Sequence, residues 1–263
     1  HFYPINAGRP DGPCFEGWTA LSYLAGVTRR LRLGLMVSGN TYRHPAVLAN
    51  MCATLDVMSG GRLEIGIGAA WNAQEHQAYG MDFPSTGVRM DALDEACRVL
   101  DLLLTQRVAN FSGEHYALTD AYCEPKPVQS PRPPLVIGGG GEKRTLRMAA
   151  QYADGWNVPF IAPDQFAHKC QVLDEHCERV GRNPADITRA INVGLAFTEE
   201  SLVHQFGALA QYVKPGVLTG SDEEIIDRIG QYVEAGADQV NIALRAPFDL
   251  DSIERFAAAL HLS

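Results

Sequence analysis

Along residues 31–37 apolar side chains alternate with small or polar ones, and Leu31, Leu33, Leu35 and Val37 predict a strand that ends at Ser38-Gly39-Asn40. A polar loop leads to Pro45, which suits the first turn of a helix because its missing N–H is not needed there. Leu48, Met51, Leu55 and Met58 then recur at helical spacing until Gly60-Gly61 stops the helix. Leu63, Ile65 and Ile67 alternate once more and run into Gly68-Ala69-Ala70. Residues 31–72 therefore predict one strand–helix–strand unit whose strands both end in loops of small or polar residues. In parallel α/β folds that C-terminal edge is where ligands bind.

The same alternation of periods continues along the chain. A loop over residues 1–15 precedes an amphipathic helix over 15–30, with Trp18, Leu21, Leu24, Ala25 and Val27 on one face. After Asn72, residues 73–87 predict a polar loop at the mouth of the fold, and residues 90–104 a helix burying Leu93, Cys97, Leu100 and Leu104. A hairpin over 111–118 turns at Ser112-Gly113 and is followed by the proline-rich link EPKPVQSPRPP. Residues 135–137 predict a short buried strand, and four consecutive glycines, 138–141, follow it and open a helix. Strands over 155–158, 187–197 and 239–244 alternate with helices over 164–180, 201–213, 222–235 and 250–260. Strand followed by helix almost throughout predicts a parallel sheet closed into a (β/α)8 TIM barrel forming a single domain over 1–263. The strand count falls short of eight, so the barrel is expected to lack its first strand–helix–strand here, about 40 residues.

Composition narrows the function. The 263 residues match the roughly 250 typical of one such barrel, and 46% apolar with 20% charged residues is ordinary for a globular chain. A net charge of −9 argues against nucleic acid as the main partner, since phosphates call for a cationic surface. With no apolar run of about 18 residues and no signal-peptide pattern, a cytoplasmic protein without membrane attachment is the default. The six cysteines show no CxxC spacing. Cys170 and Cys177 lie near His168 and His176, but Phe166, Cys170, Leu173, Cys177 and Val180 form a helical stripe, so buried thiols are expected and no metal site.

The glycine run is the clearest chemical feature. Between a strand and a helix N-terminus, residues 138–141 leave backbone N–H groups uncovered, a natural phosphate cradle. A plain flexible turn is the alternative. The run is neither GxGxxG nor a Walker loop, because Lys143 is followed by Arg144 instead of Ser or Thr. Lys143, Arg144 and Arg147 add positive charge nearby. Asp154 reads as a helix-end or packing residue, His44 as shaping a helix start, and Glu75 and His76 as members of a solvated loop, with contact to substrate or an anionic coenzyme tail as the alternative.

The runs SGNTYRHPAVLANMCATLDVMSGGRLEIGIGAAWNAQEHQAYG and YCEPKPVQSPRPPLVIGGGGEKRTLRMAAQYADGWN resemble the bacterial luciferase-like superfamily, most closely its coenzyme F420-dependent branch. The resemblance covers nearly the whole chain. It implies a TIM barrel with a flavin or deazaflavin across its C-terminal mouth. It further implies a non-proline cis peptide at Met36–Val37, with Ser38 following, pressed against the cofactor ring. Gly68 and Asn72 would border the cofactor, Trp71 would wall the site or simply pack in its loop, and Gly138, Gly139 and Gly140 would take the phosphate. His1, in HFYP, matches a DHF-like strand end whose His faces the reactive ring. It would exchange the substrate proton or only line the pocket. The implied activity is hydride transfer between the deazaflavin and an unidentified small organic substrate, by a homodimer. The alternatives are an FMN-dependent monooxygenase and a non-catalytic binding protein of the same family.

Overall fold

The computed structural model describes residues 1–4, 11–244 and 248–261, so part of the expected opening loop lies outside the described residues. Helix α1 (Gly17–Val27) is capped by Glu16, whose carboxylate accepts from the N–H groups of Trp18 and Thr19. The strand expected over 31–37 is instead two short pieces, β1 (Leu33–Gly34) and β2 (Ser38–Gly39). Helix α2 (Pro45–Ser59) follows, with the His44 side chain accepting from Ala46 N–H at its start, and then β3 (Leu63–Gly68). The supposedly structureless stretch after it contains α3 (Ala73–Ala78). Its signal was present: Asn72 and Glu75 stand at capping-box spacing, and Asn72 Oδ1 does accept from Glu75 N–H at 3.3 Å.

Helix α4 (Thr86–Thr105) begins earlier than the apolar spacing suggested because Ser85 caps it. The hairpin is β4 (Ala109–Ser112) with β5 (Ala117–Ala121), then come β6 (Leu135–Gly138), α5 (Thr145–Tyr152), β7 (Gly155–Pro159) and α6 (Pro163–Val180). A turn over 142–144 separates the glycines from α5, so they do not open it directly. Strand β8 (Thr188–Leu195) is followed by α7 (Glu199–Phe206) and α8 (Ala210–Val213), where one helix was expected. The break falls at Gly207, whose φ of 52° and ψ of −128° no L-residue readily adopts. A further strand, β9 (Val217–Leu218), precedes α9 (Asp222–Glu234), β10 (Gln239–Ile242) and α10 (Leu250–Ala259).

Among the described residues eight strands pair in parallel into one sheet, in the order β1-β3-β6-β7-β8-β10, with β2 also on β3 and β9 also on β8. All their C-terminal ends therefore share one edge, the mouth. This is an α/β barrel architecture, with Leu63, Ile65, Ile67, Leu135, Ile137, Ile191 and Val193 enclosed. Trp156 turns outward from β7 and stacks on Phe166 of α6, ring centroids 5.5 Å apart. Its neighbour Asn157 turns to the other face, where Asn157 and Asn241 both donate to Asn192 Oδ1 at 3.0 Å. Cys170 and Cys177 are buried in α6 within the core, as the stripe predicted. Among the described residues no helix is long and apolar enough to cross a membrane.

Two charged residues of the resemblance run hold the frame and take no part at the mouth. The fully buried Asp56 carboxylate accepts from the N–H groups of Val128 (2.9 Å) and Gln129 (3.0 Å) and from Gln129 Nε2 (2.7 Å). Arg62 donates to the carbonyls of Ala25, Thr28, Leu31 and Ser59, fastening α1 to the start of β3. Asp154 has a similar duty, accepting from Arg132 Nη1 (2.5 Å) and Leu135 N–H (2.8 Å).

Candidate active site

Between β1 and β2 the register changes. Gly34 pairs with Glu64 and Ser38 with Ile67, so four residues advance on one side against three on β3, and one residue is extruded. The peptide bond in that bulge, Met36–Val37, is cis. The Val37 side chain drops into a socket with no competing side chains: a Cβ at Gly68 would meet its Cγ2 at 2.9 Å, and one at Gly138 its Cγ1 at 2.8 Å. Gly66 is barred to larger residues by main chain, since a Cβ there would lie 2.0 Å from the Leu35 carbonyl oxygen. The glycines of GIG and of the glycine run thus admit the bulge, and its backbone is left at the mouth.

The residues after the bulge are fixed from behind. Ser38 Oγ accepts from Trp18 Nε1 at 2.9 Å, and both residues are buried. Asn40 continues the strand through its N–H to Gly68 O (2.8 Å) and donates its side-chain NH2 to the Tyr116 hydroxyl (3.0 Å). Its buried Oδ1 has no hydrogen-bond partner among the described residues. Tyr116 comes from the β4–β5 turn and also meets the His44 ring edge-on at 5.1 Å.

At the other side of β3 the glycine turn is only partly free. Gly139 N–H donates to Asn157 O and Gly139 O accepts from Trp156 Nε1, both at 2.9 Å, with Gly139 at φ 125°. The N–H groups of Gly140 and Gly141 donate to nothing among the described residues, so the available donors sit one residue further along than the resemblance implied. Lys169 of α6 reaches under the turn, its Nζ 2.8 Å from Gly140 O and 3.1 Å from Glu142 Oε1. The bond from Lys169 holds the Glu142 carboxyl below the usual carboxylate range. Nothing in the sequence marked Lys169. Arg144 is spent on Asp91 and the Gly87 carbonyl.

The loop after β3 carries the third component. Glu75 and His76 are not solvated, as the polar run suggested, but fully buried. Glu75 Oε2 takes His1 Nδ1 at 2.7 Å and the Tyr42 hydroxyl at 2.5 Å, and Oε1 takes Phe2 N–H. His76 lies between Asn72 O (2.7 Å) and Thr41 Oγ1 (2.6 Å) and stacks on Tyr42, centroids 4.6 Å apart. Burial, reinforced by Glu75, pushes the Tyr42 hydroxyl far above its ordinary value, so it stays a donor. Trp71 stands 62% exposed with its ring 5.3 Å from the His1 ring at 65°. Asn72 itself works as the cap of α3, and its carbonyl holds His76.

The structure therefore brings together the bulge at Met36, Val37 and Ser38, Gly68 and the glycine turn on adjacent strands, with Trp71 on the loop after β3 and His1 of the opening segment against that loop. A cavity of about 310 Å³ lies elsewhere, between α7 and α10, lined by Leu195, His204, Gln205 and Phe248. Another of about 260 Å³ has Met36, Glu64, Trp156 and Gln239 on its walls.

Known proteins share this arrangement of elements. The model of the luciferase-like monooxygenase family matches residues 2–215. An uncharacterised protein of Mycobacterium tuberculosis is 34% identical over 141 residues, 54% of this chain and 49% of that protein. An F420-dependent glucose-6-phosphate dehydrogenase of Kineococcus radiotolerans is 32% identical over 203 residues, 76% of this chain and 58% of that enzyme. The chain thus spans about half the length of the curated relatives it matches. Among solved structures, an F420-dependent secondary alcohol dehydrogenase in complex with an F420-acetone adduct superimposes with a TM-score of 0.83 at 19% identity, over 98% of this chain and 88% of that one. At that identity the likeness speaks for the fold.

Proposed function

We propose, from the premise that this chain belongs to the luciferase-like monooxygenase family, that it is an oxidoreductase exchanging a hydride between coenzyme F420 and a small organic substrate. One observation carries the reading: the cis bulge leads into β2 and the free N–H groups of the glycine turn follow β6, the two strands that flank β3 in the sheet. Two strand spacings separate them, about 10 Å, so one molecule with a planar ring and a phosphate tail reaches both. The residues suit such a group. Gly140 and Gly141 offer uncovered donors, the bulge offers backbone free of side chains because Val37 points away, and Asn40 Oδ1 is a buried acceptor without a partner among the described residues.

When bound, the deazaflavin would supply the carbon that takes or gives the hydride. The chain's own part is to seat and to exchange protons. Met36 and Val37 support the ring through their backbone, Ser38 is locked by Trp18, and Gly68 keeps the floor open. Gly140 and Gly141, with Gly138 and Gly139 shaping the turn and Lys169 beneath it, hold the anionic tail. Trp71 walls one side, and His1 exchanges a proton with the substrate at Nε2, which bonds to nothing among the described residues. The family's own description, luciferase-like monooxygenase, supports a second reading, a monooxygenase for which FMN would be the cofactor. Both coenzymes carry a phosphate that the same turn would hold. A homodimer belongs to the proposal as well.

Separate titrations with coenzyme F420 and with FMN, following quenching of tryptophan fluorescence, decide between them. Quenching saturable by F420, with a weaker FMN response, is the expected outcome. Tight FMN binding with no response to F420 reverses the order, and silence toward both overturns the cofactor reading.

A further inference from the structure

We propose that Glu75 is the positioning residue of the site: its buried carboxylate fixes His1 in a single tautomer and orientation, with the Tyr42 hydroxyl as the second donor that keeps the carboxylate in place. This deepens the reading of His1 as the group that exchanges the substrate proton and rests on it.

Glu75 has no exposed side-chain surface, yet it sits on the first turns of α3, next to the mouth. A buried carboxylate stays ionised only when donors surround it. Here three converge: His1 Nδ1 at 2.7 Å and the Tyr42 hydroxyl at 2.5 Å on Oε2, and the Phe2 N–H on Oε1. An ionised carboxylate only accepts. The Glu75 contact therefore places a proton on His1 Nδ1 in every protonation state of the ring, and leaves Nε2 as the one nitrogen that gains and loses a proton. Two contacts restrain the ring from swapping the two roles: Trp71 packs edge-on against it, and the Phe2 N–H grips the same carboxylate one residue along the chain.

Tyr42 does more than add a hydrogen bond. Its ring is held between the stacked His76, 4.6 Å away, and the edge of Phe2, 5.2 Å away. His76 in turn is fixed at both nitrogens by Asn72 O and Thr41 Oγ1. The hydroxyl thus arrives at Glu75 from a side chain with no rotational slack. When His1 carries both protons, its positive charge faces one carboxylate already shared with Tyr42. Other titratable groups near the pair, among the described residues, include Cys14, whose Sγ lies 3.8 Å from His1 O, Tyr3, which lies close enough to feel the Glu75 charge, and Tyr79, stacked on Tyr3. The proton that leaves the substrate or reaches it passes through Nε2, and the Nδ1 proton stays with the pair.

Nitrogen-15 NMR of histidine-labelled protein without coenzyme reads the tautomer directly, with the His1 signals assigned by their loss in His1→Gln. The neutral ring of wild-type His1 is expected in the Nδ1–H form. Glu75→Gln, whose amide can accept from or donate to the ring, should give a mixture, while Tyr42→Phe should keep the single form. With coenzyme and substrate in hand, Glu75→Gln should lower kcat by at least about 10-fold, the lower end of the loss when a metal-bound histidine is deprived of its orienting partner, and leave KM nearly unchanged. A wild-type His1 that is already mixed or Nε2–H overturns the proposal whether or not the variant folds. So does a single unchanged tautomer in Glu75→Gln. A changed tautomer with undiminished turnover upholds the positioning by Glu75 and instead overturns the proton-exchanging role of His1.

Discussion

Gly66 and Gly138 both border the bulge, but different obstacles keep them small. At Gly66 the obstacle is the Leu35 carbonyl, 2.0 Å from where a Cβ would lie, and main chain anchored on both sides by the paired residues of β1 and β2 retreats far less easily than a side-chain tip. At Gly138 it is the tip of Val37, 2.8 Å away, which can yield by a rotamer change. Gly66→Ala should therefore cost about 3 kcal/mol and Gly138→Ala about 1–2 kcal/mol, measured by urea unfolding. Equal losses would mean that the main chain at Leu35 moves as easily as a side chain. Much at this scale was hidden in the sequence. Alternation of Leu31, Leu33, Leu35 and Val37 describes which side chains face inward, and says nothing of a peptide bond that extrudes one residue; only the resemblance pointed to Met36–Val37. Glu75 and His76 looked solvated because their partners, His1, Phe2, Thr41 and Tyr42, lie at least 33 positions away in the chain.

At the scale of elements, the hairpin β4–β5 is held by a residue outside it. Glu95 of α4 accepts from the N–H groups of Glu114, His115 and Tyr116 at 2.7, 2.9 and 2.9 Å. Burial alone would raise its pKa, and those three donors override it and hold the carboxyl below the usual glutamate range. A folded value below the unfolded one means that the contact contributes fully above the ordinary value near 4.3 and is lost as the pH falls through the folded value. Amide exchange at Glu114, His115 and Tyr116 should accordingly lose protection in that acid window before the β6 and β7 amides do. Simultaneous loss across the sheet would show that Glu95 is not what holds the turn. The hairpin, the helices and most strands followed from periodicity and caps. Of the elements not expected, β9 and α3 are too short for a period to register, and only the cap at Asn72 marked α3; the α7–α8 break depends on one glycine's backbone angles.

For the whole molecule, the resemblance runs mark two kinds of position. Some line the mouth, such as Val37, Gly68 and the glycine turn. Others, such as Asp56 and Arg62, join distant segments: Asp56 gathers the proline-rich link over α2, and Arg62 ties α1 to β3. Asp56→Ala strands three donors and should cost about 3 kcal/mol, a fall of roughly 6–12 °C in Tm for a chain of this size. Coenzyme affinity, measured in folded protein below that Tm, should hardly change, since Asp56 touches nothing at the mouth. A lost affinity with intact Tm would place Asp56 at the site after all.

The socket under the bulge also links the histories of positions far apart in the chain. Val37 is the tenant of a space bounded by Gly68 and Gly138. A lineage that shortened residue 37 would be free to acquire a methyl at 138, and one that had acquired it could no longer lengthen 37 again. Residue 66 is outside that exchange, because its limit is set by a carbonyl that every amino acid carries. Variation at 37 and 138 should run in tandem among relatives, each change licensing the other, while 66 stays fixed.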